Sequence, residues 1–414
     1  MEDTAGNCVL VCYNTKFDEF GIFMKRPRFG ARERLSRDAA ELQRLAVGLS
    51  ESGCRLEDIF WESRLAARVR TLIQDGAEDD LNAVLDRLYE SSPAACDELV
   101  GIVETEVESC TLETGGKLYD AQLFAVPILA WSRYAIPSGS IGGASLIPIK
   151  TQLGAHIFSA DAHVALADYL FSPDQLPRSY CDTWKLLQSL VGAAAKGSDF
   201  RLDSSQLAET NHFLSDVRYL LGVVIVPHGS PVFRWNEPDG NRTTALSAWE
   251  KQGGPNLAPL LTGCAYQLLL PNAYHFACRN ADLDSRAYAT RASIAFLQAT
   301  LGLMPEELRA VIAPCYDQRL EEYRIGFAPR DRDHQVFHGV VWALLGAEDE
   351  RSEIVQQIEA ILRDCGLKDI VALEHRMPME FCDDCGAPMF PTIEGDLVHA
   401  EMPEQDDVIS QTLH

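Results

Sequence analysis

The stretch Leu123-Phe124-Ala125-Val126-Pro127-Ile128-Leu129-Ala130-Trp131 decides how the rest of the chain is read. It carries no charged residue and no alternation of apolar with polar positions. A strand with one wet face alternates, whereas a strand covered on both faces does not. A bilayer span takes about 20 apolar residues, so this run is too short for one. It reads as a strand buried between layers, with Pro127 an irregularity in it. A mixed α/β body therefore begins just after Gly115-Gly116.

Upstream the period is helical. Leu42, Leu45, Ala46 and Leu49 follow the N-cap candidate Ser36, and Leu65, Val69, Leu72 and Ile73 continue a helix begun by Leu56, Ile59 and Phe60. Leu81, Val84, Leu85 and Leu88 repeat the spacing. Ser92-Pro93 then offers a cap and a first-turn proline for a helix through Leu99, Ile102, Val103 and Val107. Four short helices with brief connections predict a bundle over 35–112. Residues 1–34 read as a mobile segment: Cys8–Tyr13 is a short apolar patch followed by no period of two or 3.6, and Met24 before Lys25-Arg26-Pro27 has the look of a natural start.

Downstream, helices are expected at Asp182–Ala195, Thr244–Leu261, Ser285–Leu303 and Ser352–Cys365. Strands are expected at Val164–Phe171, Tyr219–Val226, Tyr266–Leu270, Ala310–Ala313, Glu322–Phe327, Val336–Leu345 and Ile370–Leu373. Strand–helix–strand units thus begin near Gln122, Tyr219 and Val336. This recurrence predicts an α+β or α/β body over 113–377 made of two or three related ferredoxin-like modules in mixed sheets. A knuckle segment over 378–405 and a polar, disordered tail over 406–414 complete the chain.

Asp plus Glu total 61 against 36 Lys plus Arg, a formal charge of −25. That balance opposes nucleic acid and anionic membrane surfaces, which are bound by cationic side chains. The one basic cluster, Lys25-Arg26-Pro27-Arg28 with Arg32, Arg34 and Arg37, reads as a solvated segment. Most of the 12 cysteines are scattered singly, many in apolar patterns, which fits a reducing cytoplasm. The first residues include Asp3, Lys16, Asp18 and Glu19 and do not read as a signal peptide.

The sharpest chemical signal is Cys382-Asp383-Asp384-Cys385-Gly386. Two thiolates two residues apart, followed by glycine, can aim both sulfurs at one zinc ion about 2.3 Å away. A structural site takes four donors; His399 is the first candidate third ligand and His375 lies just before the knuckle, although neither spacing matches a standard ribbon or finger. A second copy of the pair across a two-fold axis is another source. A metal-free turn and a redox pair also fit, but Asp383 and Asp384 are expected to raise the thiol pKa values and so oppose redox chemistry. Arg133 after the apolar strand, Arg178 after Pro177, and Arg234 after Pro231 are candidates for binding a small anionic ligand at strand ends. His334 with His338, and Asp161 with His163, read as hydrogen-bonded or solvated pairs. No acid, base and nucleophile converge in a recognisable motif.

Several stretches together resemble a known family: Leu35–Ala39, Glu108–Glu113, Pro127–Trp131, Gly253–Ala258, Glu322–Phe327, Cys382–Pro388 and Val398–Pro403. It is an uncharacterised, mainly betaproteobacterial family of domain-of-unknown-function proteins, family 2863, and the likeness runs from about Met24 to Pro403. The resemblance implies a bacterial cytoplasmic setting and supplies no activity or site residues. The expected function is a non-catalytic assembly or regulatory protein, homo-oligomeric, with a structural zinc at the knuckle. The alternative is an enzyme or binder of small anions with a pocket near Arg133.

Overall fold

The computed structural model describes residues 35–403, so the expectations for 1–34, including Met24 and most of the basic cluster, and for the tail over 406–414 lie outside the described residues. Helices α1 (Arg37–Ser50), α2 (Arg55–Asp75), α3 (Glu78–Ser91) and α4 (Pro93–Glu108) form the predicted bundle. The Ser36 hydroxyl accepts the Ala39 N–H at 3.0 Å and caps α1. Ser92 takes the N-cap position of α4, but its side chain makes no capping bond. The apolar stripes of all four helices meet in one core, joined by Cys181 from the next domain.

The body starts with the hairpin β1 (Ser109–Thr114) and β2 (Lys117–Trp131). It continues through β3 (Gly139–Ser140), α5 (Gly143–His156), β4 (His163–Leu166), β5 (Tyr169–Leu170), α6 (Tyr180–Ala194) and β6 (Ser215–Pro227). Then come α7 (Arg242–Ala248), α8 (Gly254–Leu257), β7 (Ala265–Leu268), β8 (Asn272–Ala273) and the long α9 (Tyr274–Leu301). Strand β2 is the spine of the first sheet. It pairs with β6 from Tyr119 opposite Pro227 to Trp131 opposite Ser215, with β4 beyond β6. Its other edge takes β1, β8 and β7 in turn, and every pairing is antiparallel. Pro127 is tolerated because it falls between the residues paired to β8 and to β7, where its carbonyl accepts the Leu269 N–H at 3.1 Å. One face is covered by α5, Trp249 and Leu257, and the other by α6 and the first half of α9. The missing alternation in Leu123–Trp131 is explained by helices on both faces of an antiparallel sheet.

The second sheet is a meander of β9 (Leu308–Tyr316), β10 (Leu320–Pro329) and β11 (His338–Ala343). After α10 (Ile354–Asp364), β12 (Asp369–Ala372) and β13 (Met377–Pro378) both add parallel to β9. The second half of α9, through Ile294 and Leu297, and α10, through Ile354, Ile358 and Leu362, cover one face. The opposite face receives the C-terminal segment with the small hairpin β14 (Phe390–Pro391) and β15 (Leu397–Val398). Among the described residues, no helix is long and apolar enough to cross a membrane.

Several expectations change. The stretches that begin near Gln122 and Tyr219 lie side by side in one sheet, not in successive modules, and the third belongs to a sheet with a different strand order. The helix expected over Thr244–Leu261 is present as an unbroken helical run over 242–260 whose winding changes, from α7 through a π-helical turn at Trp249–Gly253 to α8 and a 3-10 turn. The strand expected over Val164–Phe171 is interrupted at Ala167-Asp168, where the Asp168 carboxylate accepts the Leu202 N–H at 2.8 Å. The helix expected from Ser285 starts earlier, at Tyr274, and runs across both sheets. Strand β11 is shorter than predicted because Val336 turns under the C-terminal segment and accepts the Glu401 N–H at 2.9 Å.

Candidate metal centre

The site begins with a seat in the second sheet. Gly326 and Gly339 face each other across β10 and β11. A Cβ on Gly326 would stand 2.6 Å from the Pro391 carbonyl oxygen, and one on Gly339 would collide with the Phe390 ring. Two side-chain-free positions thus let β14 lie directly on the sheet, and Phe390 is fully buried with Val336, Val341 and Ala400. This contact fixes the chain that leaves the knuckle.

The second fixing is Arg324. Its guanidinium, wholly buried, donates to the carbonyl oxygens of Glu380 and of Met389 (2.8 Å), the residues that flank the knuckle, and to Glu322 Oε1 at 2.7 Å. Its Nη2 atom has no hydrogen-bond partner, and the Phe381 ring lies 4.9 Å away. One buried charge therefore clamps both stems of the turn. Sequence reading missed this residue, since an arginine in a strand pattern looks like any surface arginine.

Between these stems the turn folds tightly. The Cys382 N–H donates to the Ala387 carbonyl at 2.7 Å and the Gly386 N–H to the Cys382 carbonyl at 2.8 Å. Gly386 adopts φ +71°, the left-handed region that glycine enters without strain. The thiol of Cys382 is lowered below its ordinary pKa, first by the backbone N–H of Cys385 and then by that of Asp384, with the Asp384 charge opposing them. The Asp384 charge raises the thiol pKa, as expected, but the turn points amides at the sulfur and at Cys382 those donors outweigh it.

The β14–β15 hairpin returns the chain so that His399 meets the turn. Its Nε2 lies 3.3 Å from Cys385 Sγ, and the donor atoms of Cys382, Cys385 and His399 all lie within 4.8 Å of one another. Tetrahedral zinc, with Zn–S about 2.3 Å and Zn–N about 2.0–2.1 Å, places sulfur and nitrogen about 3.6 Å apart. The spacing therefore suits one ion bound to all three. The other ring nitrogen, Nδ1, faces Glu401 Oε1 at 3.6 Å. Cys385 is exposed, while Cys382 and His399 are half-buried. His375 does not join them; its ring packs against Gly395 in the hairpin turn.

The other candidates fall elsewhere. Arg133 is exposed past the Trp131 end of the β2–β6 pair, with a long 3.5 Å bond to the Ala299 carbonyl. Arg234 lies toward the opposite end, beside the C-terminus of α5, donating to the Gly154 carbonyl at 3.1 Å with Glu237 at 3.9 Å. Arg178 is exposed just before α6. Arg133 and Arg234 do not converge on one place. His334 is exposed and pairs with Glu394 at 2.9 Å, whereas His338 is buried against Ser293 Oγ at 3.0 Å, and burial pushes its pKa down to about 3. Asp161 and His163 are both exposed.

The structure thus defines a mixed α+β protein with a Cys/Cys/His cluster near its C-terminus. By sequence the chain belongs to the family described as "Protein of unknown function (DUF2863)", matched over residues 27–413. No curated protein and no solved structure matches the chain.

Proposed function

We propose that this chain is a non-catalytic, cytoplasmic assembly or regulatory protein whose C-terminal segment is locked onto the second sheet by zinc on Cys382, Cys385 and His399. The observation that carries the metal reading is the convergence of three soft or borderline donors on a turn already held by Arg324 and the Phe390 seat. Two thiolates and an imidazole favour zinc over calcium or magnesium, which take oxygen donors. The assembly reading is supported by Leu56, Ile59 and Phe60, which stand exposed on one face of α2, an apolar patch of the sort that marks contact surfaces. We also infer a ferredoxin-like ancestry for the first sheet. Taking β2, β4, β6 and β7 as first to fourth, its order is fourth, first, third, second, and α5 and α7–α8 cover the same face. Helix α6 then replaces the usual hairpin between the second and third strands.

The test is elemental mass spectrometry of the full-length, untagged protein beside Cys382→Ser, with molar mass by light scattering. One zinc per chain, lost in the variant, supports the metal reading, and its absence under reducing conditions overturns it. A monomer at micromolar concentration overturns the assembly reading.

A further inference from the structure

The cluster supplies three donors, whereas a closed zinc site has four. Among the described residues, no further histidine, cysteine or carboxylate joins the group. The nearby candidates are engaged elsewhere. Glu401 lies behind His399, toward Nδ1 and not toward the cysteine-facing Nε2. Glu394 pairs with His334 at 2.9 Å, and the His375 ring is against Gly395. The exposure of Cys385 sets the cluster at the surface, within reach of a donor from solution.

We propose that the ion held by Cys382, Cys385 and His399 keeps one exchangeable coordination position, and that this position takes a small neutral nitrogen donor of the imidazole class in preference to an anion. This rests on reading the cluster as a metal centre. The selectivity follows from charge. Two thiolates cancel the two positive charges of the ion, so the centre itself does not attract anions. Asp383, Asp384 and Glu401, each within two residues of a ligand, surround it with negative charge in a chain of formal charge −25. A neutral donor approaches without that repulsion, and imidazole suits a borderline-soft ion. Glu401 would act as a positioning residue: its carboxylate stands 3.6 Å from His399 Nδ1, beyond hydrogen-bond distance but on the side from which carboxylates behind metal-bound histidines orient the ring.

Full-length protein loaded with cobalt(II) reports both levels separately. A sulfur-to-cobalt charge-transfer band, absent in Cys385→Ser, reads whether the cluster holds metal, and the visible ligand-field bands read the remaining position. Titration with free imidazole should shift those bands saturably, at a half-saturation concentration roughly tenfold below that of azide, the discrimination supplied by about 1.4 kcal/mol of repulsion. Glu401→Gln should keep the imidazole response. No charge-transfer band overturns the metal reading together with this one. A band present but unmoved by either ligand overturns this proposal alone, as does tighter binding of azide. An imidazole response seen only in Glu401→Gln makes Glu401 the fourth donor and likewise overturns it. Bands that change with protein concentration and resist imidazole assign the position to a second copy, also against the proposal.

Discussion

The two sheets are covered by different means. The first is sandwiched by regular structure: α5, Trp249 and Leu257 on one face, α6 and α9 on the other, each against a large cluster of fully buried side chains. The second has helices on one face only, and the other is closed by a segment with little regular structure. The apolar groups beneath that segment are few, chiefly Phe390, Val336, Val341 and Ala400 with a smaller set around Cys315 and Met377. Burial contributes roughly 25 cal/mol per Å² of apolar surface, so a thin cover gains little from it. Directional fixings take over there: a glycine seat, a buried arginine clamp and a cluster suited to metal. The comparison teaches that the cluster suited to metal is placed where the apolar cover is thin.

The largest expected effect tests that division directly. Arg324→Met removes the donor that holds Glu380 and Met389 and takes away the guanidinium beside buried Glu322. Breaking a buried ion pair from one side costs about 3–5 kcal/mol. Hydrogen exchange should rise by orders of magnitude over 378–403 and along β10, while β2 and β6 keep their protection. Equal loss of protection in both sheets would sink the idea that they are held independently. Glu322→Gln added to Arg324→Met should recover part of the stability but not the order of the segment.

How much of this was legible depends on how local each signal is. The bundle could be read because Leu42, Leu45, Ala46 and Leu49, and their counterparts in α2–α4, repeat within single turns. Strand β2 could be read from its own composition. Its neighbours could not, since Gln122 meets Val224 across a hundred residues of chain and nothing in either strand names the other. The cysteine pair was visible from spacing, and His399 from its donor chemistry; the hairpin that joins them was not. Gly326 and Gly339 were the available clue, because glycines inside apolar strands mark close approach of another backbone. Their partners, Pro391 for Gly326 and Phe390 for Gly339, lie over fifty residues away, so the clue points without saying at what.

A smaller effect sharpens the comparison from the side of the first sheet, where polar groups are sealed in at the junction with the bundle. Glu108 ends α4 and accepts the His275 N–H at 3.0 Å at the start of α9. Burial pushes its pKa from the usual 4.5 up to about 7, despite that hydrogen bond. The folded protein therefore binds this proton more tightly than the unfolded chain does. Its contribution is greatest below pH 4.5, declines as pH rises toward 7, and is gone above that. The slope from one such group approaches at most about 1.4 kcal/mol per pH unit. Urea unfolding from pH 4.5 to 7.5 should show wild-type stability falling relative to Glu108→Gln, whose neutral side chain still accepts the bond. Burial also raises Asp282 to about 7, so the variant loses part of the pH dependence and keeps the rest. Parallel curves for the two proteins would mean that Glu108 stays ionised and the junction is wetter than its geometry implies.

The smallest effect concerns the seam between bundle and body. Helix α6 opens with three N–H groups that need acceptors. The Ser179 hydroxyl takes that of Asp182 at 3.1 Å, and Glu78, at the start of α3, takes those of Tyr180 and Cys181 at 3.1 and 2.9 Å. A bundle carboxylate thus caps a helix of the body, and its charge also suits the positive end of that helix. Cys181 follows by burying its side chain in the bundle core. Glu78→Ala should cost about 1 kcal/mol, the usual price of a lost cap, and loosen the first turn of α6 in hydrogen exchange. Glu78→Gln, which retains one acceptor, should cost less. Because the bonds of Glu78 go to the first turn of α6 and not to the second sheet, metal content and protection over 378–403 should stay at wild-type values. If the C-terminal segment loosened with α6, the bundle, the first sheet and the knuckle would be one cooperative unit, and the contrast between the two sheets would be one of appearance only.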